Sequence, residues 1–454
     1  MRYVEVGRVP VDLNGDGYSD VVVGAPYEHH DAASDWTGGV HVYRGSAAGV
    51  STDPAESLTE PDLVSWAEFG DSISFAGDVQ ADGFGDLVVG AYHREVGGLR
   101  TGGAFAYFGT VSGLAILPSA ELENPLCEPP CSFGDSVGGV GDVNADGFSD
   151  VVVGDPITVE STPDAWGVAF AYHGMTGGLG TSPATTLLPD TAIGRAFGDV
   201  VVPAGDTNGD GYSDVLVGAP GGSSSSERLV VYVFEGASAG LGVTSAATIA
   251  EPEFPYMSSS DRLSLLAGLG DTNGDGYSDA AVGVPFTVGG NPGRVFVYPG
   301  GPAGIAAPAD VALNDPDGAT ADFFAWSLGG GDFDGDGLAE VFTGAPRYGV
   351  GPYREPGSLF VFAGNAGGIA APHSLRLDHP IAERSAEFGY ASANAGDVNG
   401  DGYWDLVVGA PTGSAPYGCV FLYLGGPTGL STTPAATLVH PLRQSYPGFG
   451  QTVI

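Results

Sequence analysis

Residues 206–220 read DTNGDGYSDVLVGAP: an acidic, glycine-bearing segment, a short apolar run and a Gly-Ala-Pro triplet. Six more segments repeat the acidic part: DLNGDGYSD from Asp12, DVQADGFGD from Asp78, DVNADGFSD from Asp142, DTNGDGYSD from Asp271, DFDGDGLAE from Asp332 and DVNGDGYWD from Asp397. Their first aspartates are separated by 66, 64, 64, 65, 61 and 65 residues. A fixed period of this length marks one architecture built from repeated units.

The flanks keep the register. Twelve residues after each first aspartate stands a triplet: Gly24-Ala25-Pro26, Gly90-Ala91-Tyr92, Gly154-Asp155-Pro156, Gly218-Ala219-Pro220, Gly283-Val284-Pro285, Gly344-Ala345-Pro346 and Gly409-Ala410-Pro411. Nine residues before the first aspartate, four units carry Phe-Gly: Phe69-Gly70, Phe133-Gly134, Phe197-Gly198 and Phe388-Gly389. Unit five has Arg262-Leu263 there and unit six Phe323-Phe324, both departures.

Each unit reads as four short strands. One follows Phe-Gly, a second is the apolar run before the triplet, a third alternates β-formers as in GGVHVYRG, and a weaker fourth follows a glycine-bounded turn. Four strands of one unit cannot bury both their faces alone, whereas radial repetition protects the edges. The expected fold is all-β, a seven-bladed β-propeller with four antiparallel strands per blade. The blades are placed at 69–132, 133–196, 197–261, 262–322, 323–387 and 388–448, with blade 1 at about 1–68 plus 449–454. The chain ends in Phe449-Gly450-Gln451-Thr452-Val453-Ile454, the opening of a repeat, so this strand is expected to complete blade 1 and close the ring.

Composition agrees. Among 454 residues are 77 glycines and 33 prolines, yet 43% of the chain is hydrophobic, which supports frequent turns around a large core rather than disorder. The formal charge is −41, and all fourteen basic residues are arginine. Such a surface disfavours nucleic acid and anionic membranes as partners. No apolar run is long enough to cross a bilayer, so no membrane insertion is expected. Met1 is followed by no basic and apolar leader pattern, which leaves a cytosolic protein or one whose leader lies outside this sequence. Cys127 and Cys131, in CEPPC, can close a short loop as a disulfide or stay as thiols. Cys419 reads as a buried small hydrophobe.

The acidic segments have the makings of calcium sites. Calcium takes six to eight oxygen ligands, and DxNxDGxxD offers oxygen side chains at positions 1, 3, 5 and 9, a carbonyl at 7, and glycine for the bend at 6. The candidate ligands are Asp12, Asn14, Asp16, Tyr18 and Asp20 in the first loop, and Asp78, Gln80, Asp82, Phe84 and Asp86 in the second. Loop three offers Asp142, Asn144, Asp146, Phe148 and Asp150; loop four Asp206, Asn208, Asp210, Tyr212 and Asp214. Loop five offers Asp271, Asn273, Asp275, Tyr277 and Asp279. Loop six offers Asp332, Asp334, Asp336, Leu338 and Glu340, and loop seven Asp397, Asn399, Asp401, Tyr403 and Asp405. Position 7 would contribute its backbone carbonyl. About seven Ca²⁺ are expected, one per blade. Loop two is the weakest because Gln80 is longer than asparagine. This is not an EF-hand: strands flank the loop and position 12 is valine or threonine rather than glutamate, just before the triplet glycine.

Phe-Gly, DxNxDGxxD and Gly-Ala-Pro together resemble the FG-GAP repeat of the integrin α-subunit head, over nearly the whole chain. That resemblance implies a seven-bladed propeller with calcium between the first and second strands, an extracellular or cell-surface location, and a role in adhesion or ligand recognition. Integrins carry the loop in only some blades; here all seven have it. Similar repeats in a fungal lectin and in the accessory domain of a phospholipase make a glycan-binding propeller, and less so an accessory domain of a hydrolase, the alternatives.

The chain is expected to be no enzyme, since its eight histidines show no ligand or triad spacing and no nucleophile elbow or phosphate loop appears. A protein or glycan ligand is expected on the loops after the triplets, opposite the acidic loops, with the propeller a monomer. The candidate ligand residues are Tyr27, His29, His30, Trp36, Tyr92, His93 and Arg94, with Arg347, Tyr348, Tyr353 and Arg354 as a further set.

Overall fold

The computed structural model describes residues 12–29, 36–157, 167–190, 196–220, 229–250, 266–285, 292–305, 307–318, 322–349, 356–381, 385–413, 417–444 and 448–454. They form a seven-bladed propeller of four-stranded antiparallel sheets, with no helix among the described residues. Blade 2 is representative: Ile73–Gly77, Asp86–Gly90, Ala104–Tyr107 and Ala120–Glu121 run from the axis outward. In blade 1 the inner strand is Thr452–Val453. It pairs with Val21–Ala25, and Val22 and Ile454 exchange backbone hydrogen bonds at 2.9 and 3.0 Å. The C-terminal strand closes the ring as expected.

The core lies between blades rather than inside them. The second strands are buried along their whole length, and alternate residues face alternate neighbours: Val22 packs toward blade 2, while Val21 and Val23 pack toward blade 7. The apolar core is accordingly a set of seven clusters, one at each seam. The repeated phenylalanine packs on two aromatic residues of its own third strand, as Phe69 does on Phe105 and Tyr107 at 6.1 and 6.3 Å.

The two motif glycines meet across a seam. A Cβ on Gly90 would stand 2.0 Å from the carbonyl oxygen of Gly134, the Phe-Gly glycine of the next blade. Gly24 and Gly70 meet in the same way, so a side chain at either would push neighbouring blades apart.

Unit six departs from the pattern for a physical reason. Phe324, not Phe323, is the buried aromatic that packs on Phe360 and Phe362. The unit is therefore one residue short before Asp332. The first strands of blades 2, 3, 4, 5 and 7 contain a bulge that Leu328–Gly331 lacks, and the missing residue is absorbed there. The Arg262-Leu263 departure lies outside the described residues.

Candidate metal centres

Each acidic segment folds into the same cage. The first aspartate accepts the position-6 glycine amide in all seven loops, from 2.7 Å (Gly17 to Asp12) to 3.0 Å (Gly337 to Asp332). That glycine has φ near +90° throughout, a conformation disfavoured for side-chain-bearing residues. The position-5 aspartate accepts the position-7 amide in every loop, as Asp16 does from Tyr18 at 3.1 Å. The position-3 oxygen accepts the position-5 amide in six loops. In loop two Gln80 keeps only the donation onto Asp82, at 2.7 Å, which Asn14, Asn208 and Asn399 also make onto their position-5 aspartates.

Position 9 does more than its place in the motif suggests. Asp20 is fully buried, and its two oxygens accept the amides of Leu13 at 2.9 Å and Gly45 at 3.0 Å. It thereby ties its own loop to the chain leaving the third strand. Asp86, Asp150, Asp214, Asp279 and Asp405 repeat the pair with Gly109, Gly174, Gly236, Gly300 and Gly425. Burial pushes Asp20 up to about 7, reinforced by the charges of Asp12 and Asp16 and opposed by the two amides. Asp86, Asp150 and Asp405 rise to about 7 and Asp214 to about 6, burial again dominating. In loop six burial pushes Glu340 up to about 8 beside Asp334 and Asp332, and oxygens of these three lie within 4.8 Å of one another. Carboxylates this close and this poorly solvated are stabilised by a divalent cation, and the donor set is all oxygen, as calcium prefers.

The cages are chained around the ring. In six loops the position-8 amide donates to the position-1 carbonyl of the preceding blade's loop, as Gly85 does to Asp12 at 2.8 Å and Ser149 to Asp78 at 3.0 Å. The position-7 side chain lies on the preceding loop as well: Tyr18, Phe84, Tyr277 and Tyr403 cover Gly400, Gly15, Gly209 and Gly335. Both contacts escape the sequence reading, because they join residues about 70 positions apart, or 382 for Tyr18 and Gly400 where the ring closes.

The opposite face divides the expected ligand residues between internal contacts and an exposed patch. Arg94 is buried and bound to Glu60 at 2.9 Å, Asp62 at 2.5 Å and Glu121 at 2.8 Å, so it fastens the seam between blades 1 and 2. The Tyr92 hydroxyl donates to Glu68 at 2.6 Å, and His93 Nδ1 lies 3.0 Å from the same carboxylate. All three side chains engage internal acids; Tyr92 and Arg94 are buried, and His93 stays partly exposed. Tyr348 is buried too, its hydroxyl donating to Asp317, and Arg347 stacks over Phe323 at 4.3 Å. His30, Tyr353 and Arg354 lie outside the described residues.

Tyr27, His29 and Trp36 do come together, and with them a residue the sequence reading missed. Trp66 lies 4.6 Å from Trp36 between ring centroids, Tyr27 lies 5.4 Å and His29 6.4 Å from Trp36. Trp36 is 37% and Trp66 52% exposed, both with left-handed backbone, φ 42° and 66°. Gln444 of blade 7 holds His29 at both backbone groups, accepting its amide at 2.8 Å and donating to its carbonyl at 2.6 Å. Cys127 and Cys131 form a disulfide, and Cys419 is buried.

The FG-GAP repeat model matches residues 9–43, 197–234, 324–367 and 388–426. Among curated proteins the chain is similar to integrin alpha-PS3 of Drosophila melanogaster, 37% identical over 123 residues, which is 27% of this chain and 11% of that relative. It is similar to integrin alpha-IIb of Mus musculus, 36% identical over 155 residues, 33% of this chain and 14% of that one. Only about a seventh or less of these relatives' length is spanned. Among solved structures, a periplasmic gluconolactonase of Pseudomonas aeruginosa aligns over 92% of this chain and 95% of its own, at TM-score 0.45 and 15% identity. A protein from Lactobacillus plantarum aligns over 96% and 98%, at TM-score 0.45 and 12% identity. The chain thus carries FG-GAP repeats in a seven-bladed propeller and has integrin α-subunit relatives. The expectation that the chain is no enzyme is withdrawn: missing sequence motifs exclude no activity, and a gluconolactonase is among the solved structures that align with it. At that TM-score the likeness names no reaction here.

Proposed function

We propose that this propeller is a calcium-loaded, extracellular recognition module. Its seven metal loops stiffen one face, and the opposite face receives a protein or glycan in an adhesive contact. The observation that carries the reading is the sevenfold repetition of one oxygen cage around a buried position-9 carboxylate. Calcium at positions 1, 3, 5, 7 and 9 would relieve the repulsion among these acids and hold the loops in the shape their amides already favour. The Cys127–Cys131 disulfide supports an oxidising, extracellular setting.

Metal analysis after gel filtration in calcium tests the first half. About seven ions per chain are expected, and none or one would end the reading. A second reading, a glycan-binding propeller, is favoured by the exposed Trp36–Trp66 pair, since indole faces stack on the apolar faces of sugars. A glycan array compared with a pull-down from native surroundings separates the two ligand classes.

A further inference from the structure

At the seam between blades 7 and 1, three side chains outside the acidic loops converge in the core. Glu28 Oε2 lies 2.7 Å from His41 Nε2 and 3.0 Å from His440 Nε2, and the three residues are 2%, 1% and 0% exposed. Glu28 follows the triplet of blade 1, His41 sits in its third strand, and His440 follows the last strand of blade 7. Phe449 of the closing strand packs on both imidazoles, at 5.9 and 5.7 Å.

Packing alone does not call for these residues. Position 41 faces Val23, and the residues in the same register of the other blades are Phe105, Phe170, Tyr232, Phe296, Phe360 and Phe421. Six blades fill the place with an aromatic ring, and blade 1 puts an imidazole there against a buried carboxylate. Burying a charge and two polar rings costs desolvation that a phenylalanine avoids, so the cluster invites a compensating role.

We propose that Glu28, His41 and His440 form a zinc site that welds the last blade to the first. Two imidazole nitrogens and one carboxylate oxygen are a ligand set zinc takes, and calcium, which prefers oxygen, does not compete for it. Ligand atoms within 4.8 Å of one another need only a small outward adjustment to share one ion. Metal at Nε2 leaves each neutral ring its proton on Nδ1. For His41, Ser57 Oγ at 2.8 Å accepts that proton and orients the ring. For His440, Nδ1 now receives the Gln444 amide at 3.4 Å, so loading moves the ring proton from Nε2 to Nδ1 and exchanges that long hydrogen bond and the two imidazole–Glu28 hydrogen bonds for three metal–ligand bonds. The fourth position falls to the second Glu28 oxygen or a water.

The test uses the full chain, stripped with chelator, reloaded with calcium and then titrated with zinc chloride or cobalt chloride. One zinc per chain is expected beyond the calcium, with a higher melting temperature and the visible bands of tetrahedral cobalt. His41→Phe installs the residue other blades carry, so it should fold, keep its calcium count and lose both the zinc and the cobalt bands. Glu28→Gln provides a second ligand-set variant and should lower zinc retention at least tenfold. Equal zinc uptake by wild type and a folded His41→Phe, or no zinc held by a folded, calcium-loaded wild type, overturns the proposal and leaves a hydrogen-bonded cluster. Because calcium is counted separately, failure here is distinct from failure of the calcium reading.

Discussion

The backbone amide of Ser19 donates to the carbonyl oxygen of Asp397 at 3.0 Å, joining the first acidic loop to the last across the point where the ring closes. Equivalent bonds link loops one to two and two to three, so the candidate metal sites form a belt rather than seven isolated turns. Filling one cage should order the carbonyl that its neighbour's amide uses. Calcium titration by calorimetry should therefore give a steeper isotherm than independent sites allow, flattened by Asp397→Ala. A wild-type isotherm that fits identical independent sites would contradict the belt.

Occupancy should be uneven. Gln80 is the one position-3 side chain that does not accept the position-5 amide, so loop two should bind most weakly. Gln80→Asn, which restores the motif, should raise loop two's affinity; an unchanged stoichiometry curve would remove Gln80 as the cause.

The metal-free protein should lose stability as pH rises. Asp20, Asp86, Asp150 and Asp405 are raised to about 7 and Glu340 to about 8, chiefly by burial. Their folded pKa values lie above the unfolded ones, so the folded state binds protons more tightly. The contribution is full below about pH 4 and is lost as pH climbs through 7 to 8. In EDTA the melting temperature should fall between pH 5 and 8 as far as these groups govern it. Calcium should reverse the loss, contributing ~2.7 kcal/mol per site at a hundredfold excess over Kd and releasing protons on binding. A pH-independent melting curve in EDTA would count against buried, uncompensated carboxylates.

Deleting 449–454 removes the strand paired with Val21–Ala25 and opens the 7–1 seam. The truncated chain should melt earlier and aggregate on gel filtration. Phe449→Ala alone should cost about 3–5 kcal/mol, because a fully buried ring leaves a cavity. Wild-type behaviour of the truncated chain would mean that the ring does not depend on this closure.

Arg94 and Trp66 should behave oppositely. Arg94→Ala strands fully buried Glu60 without its cation and should cost about 3–5 kcal/mol in chemical denaturation. Trp66→Ala, at an exposed position, should shift stability by less than about 1 kcal/mol while weakening any ligand held on the aromatic patch. Loss of folding in Trp66→Ala with intact binding by Arg94→Ala would reverse the assignment.

The period, the propeller, the closing strand and the oxygen pattern were legible in the sequence, because each rests on local chemistry repeated at a constant interval. DxNxDGxxD dictates its own amide cage within nine residues, and alternating apolar strands dictate their buried faces. What neighbouring blades do to one another could only be decided by the tertiary structure. Arg94 reads as a surface cation until Glu60, Asp62 and Glu121 are brought around it from 27 to 34 residues away. His41 and His440 lie 399 positions apart and meet at Glu28 only because the ring closes. Trp66 becomes part of a patch only when its loop folds against Trp36. A repeat motif encodes contacts within one unit, whereas seam contacts depend on which non-repeated side chains the ring sets opposite each other.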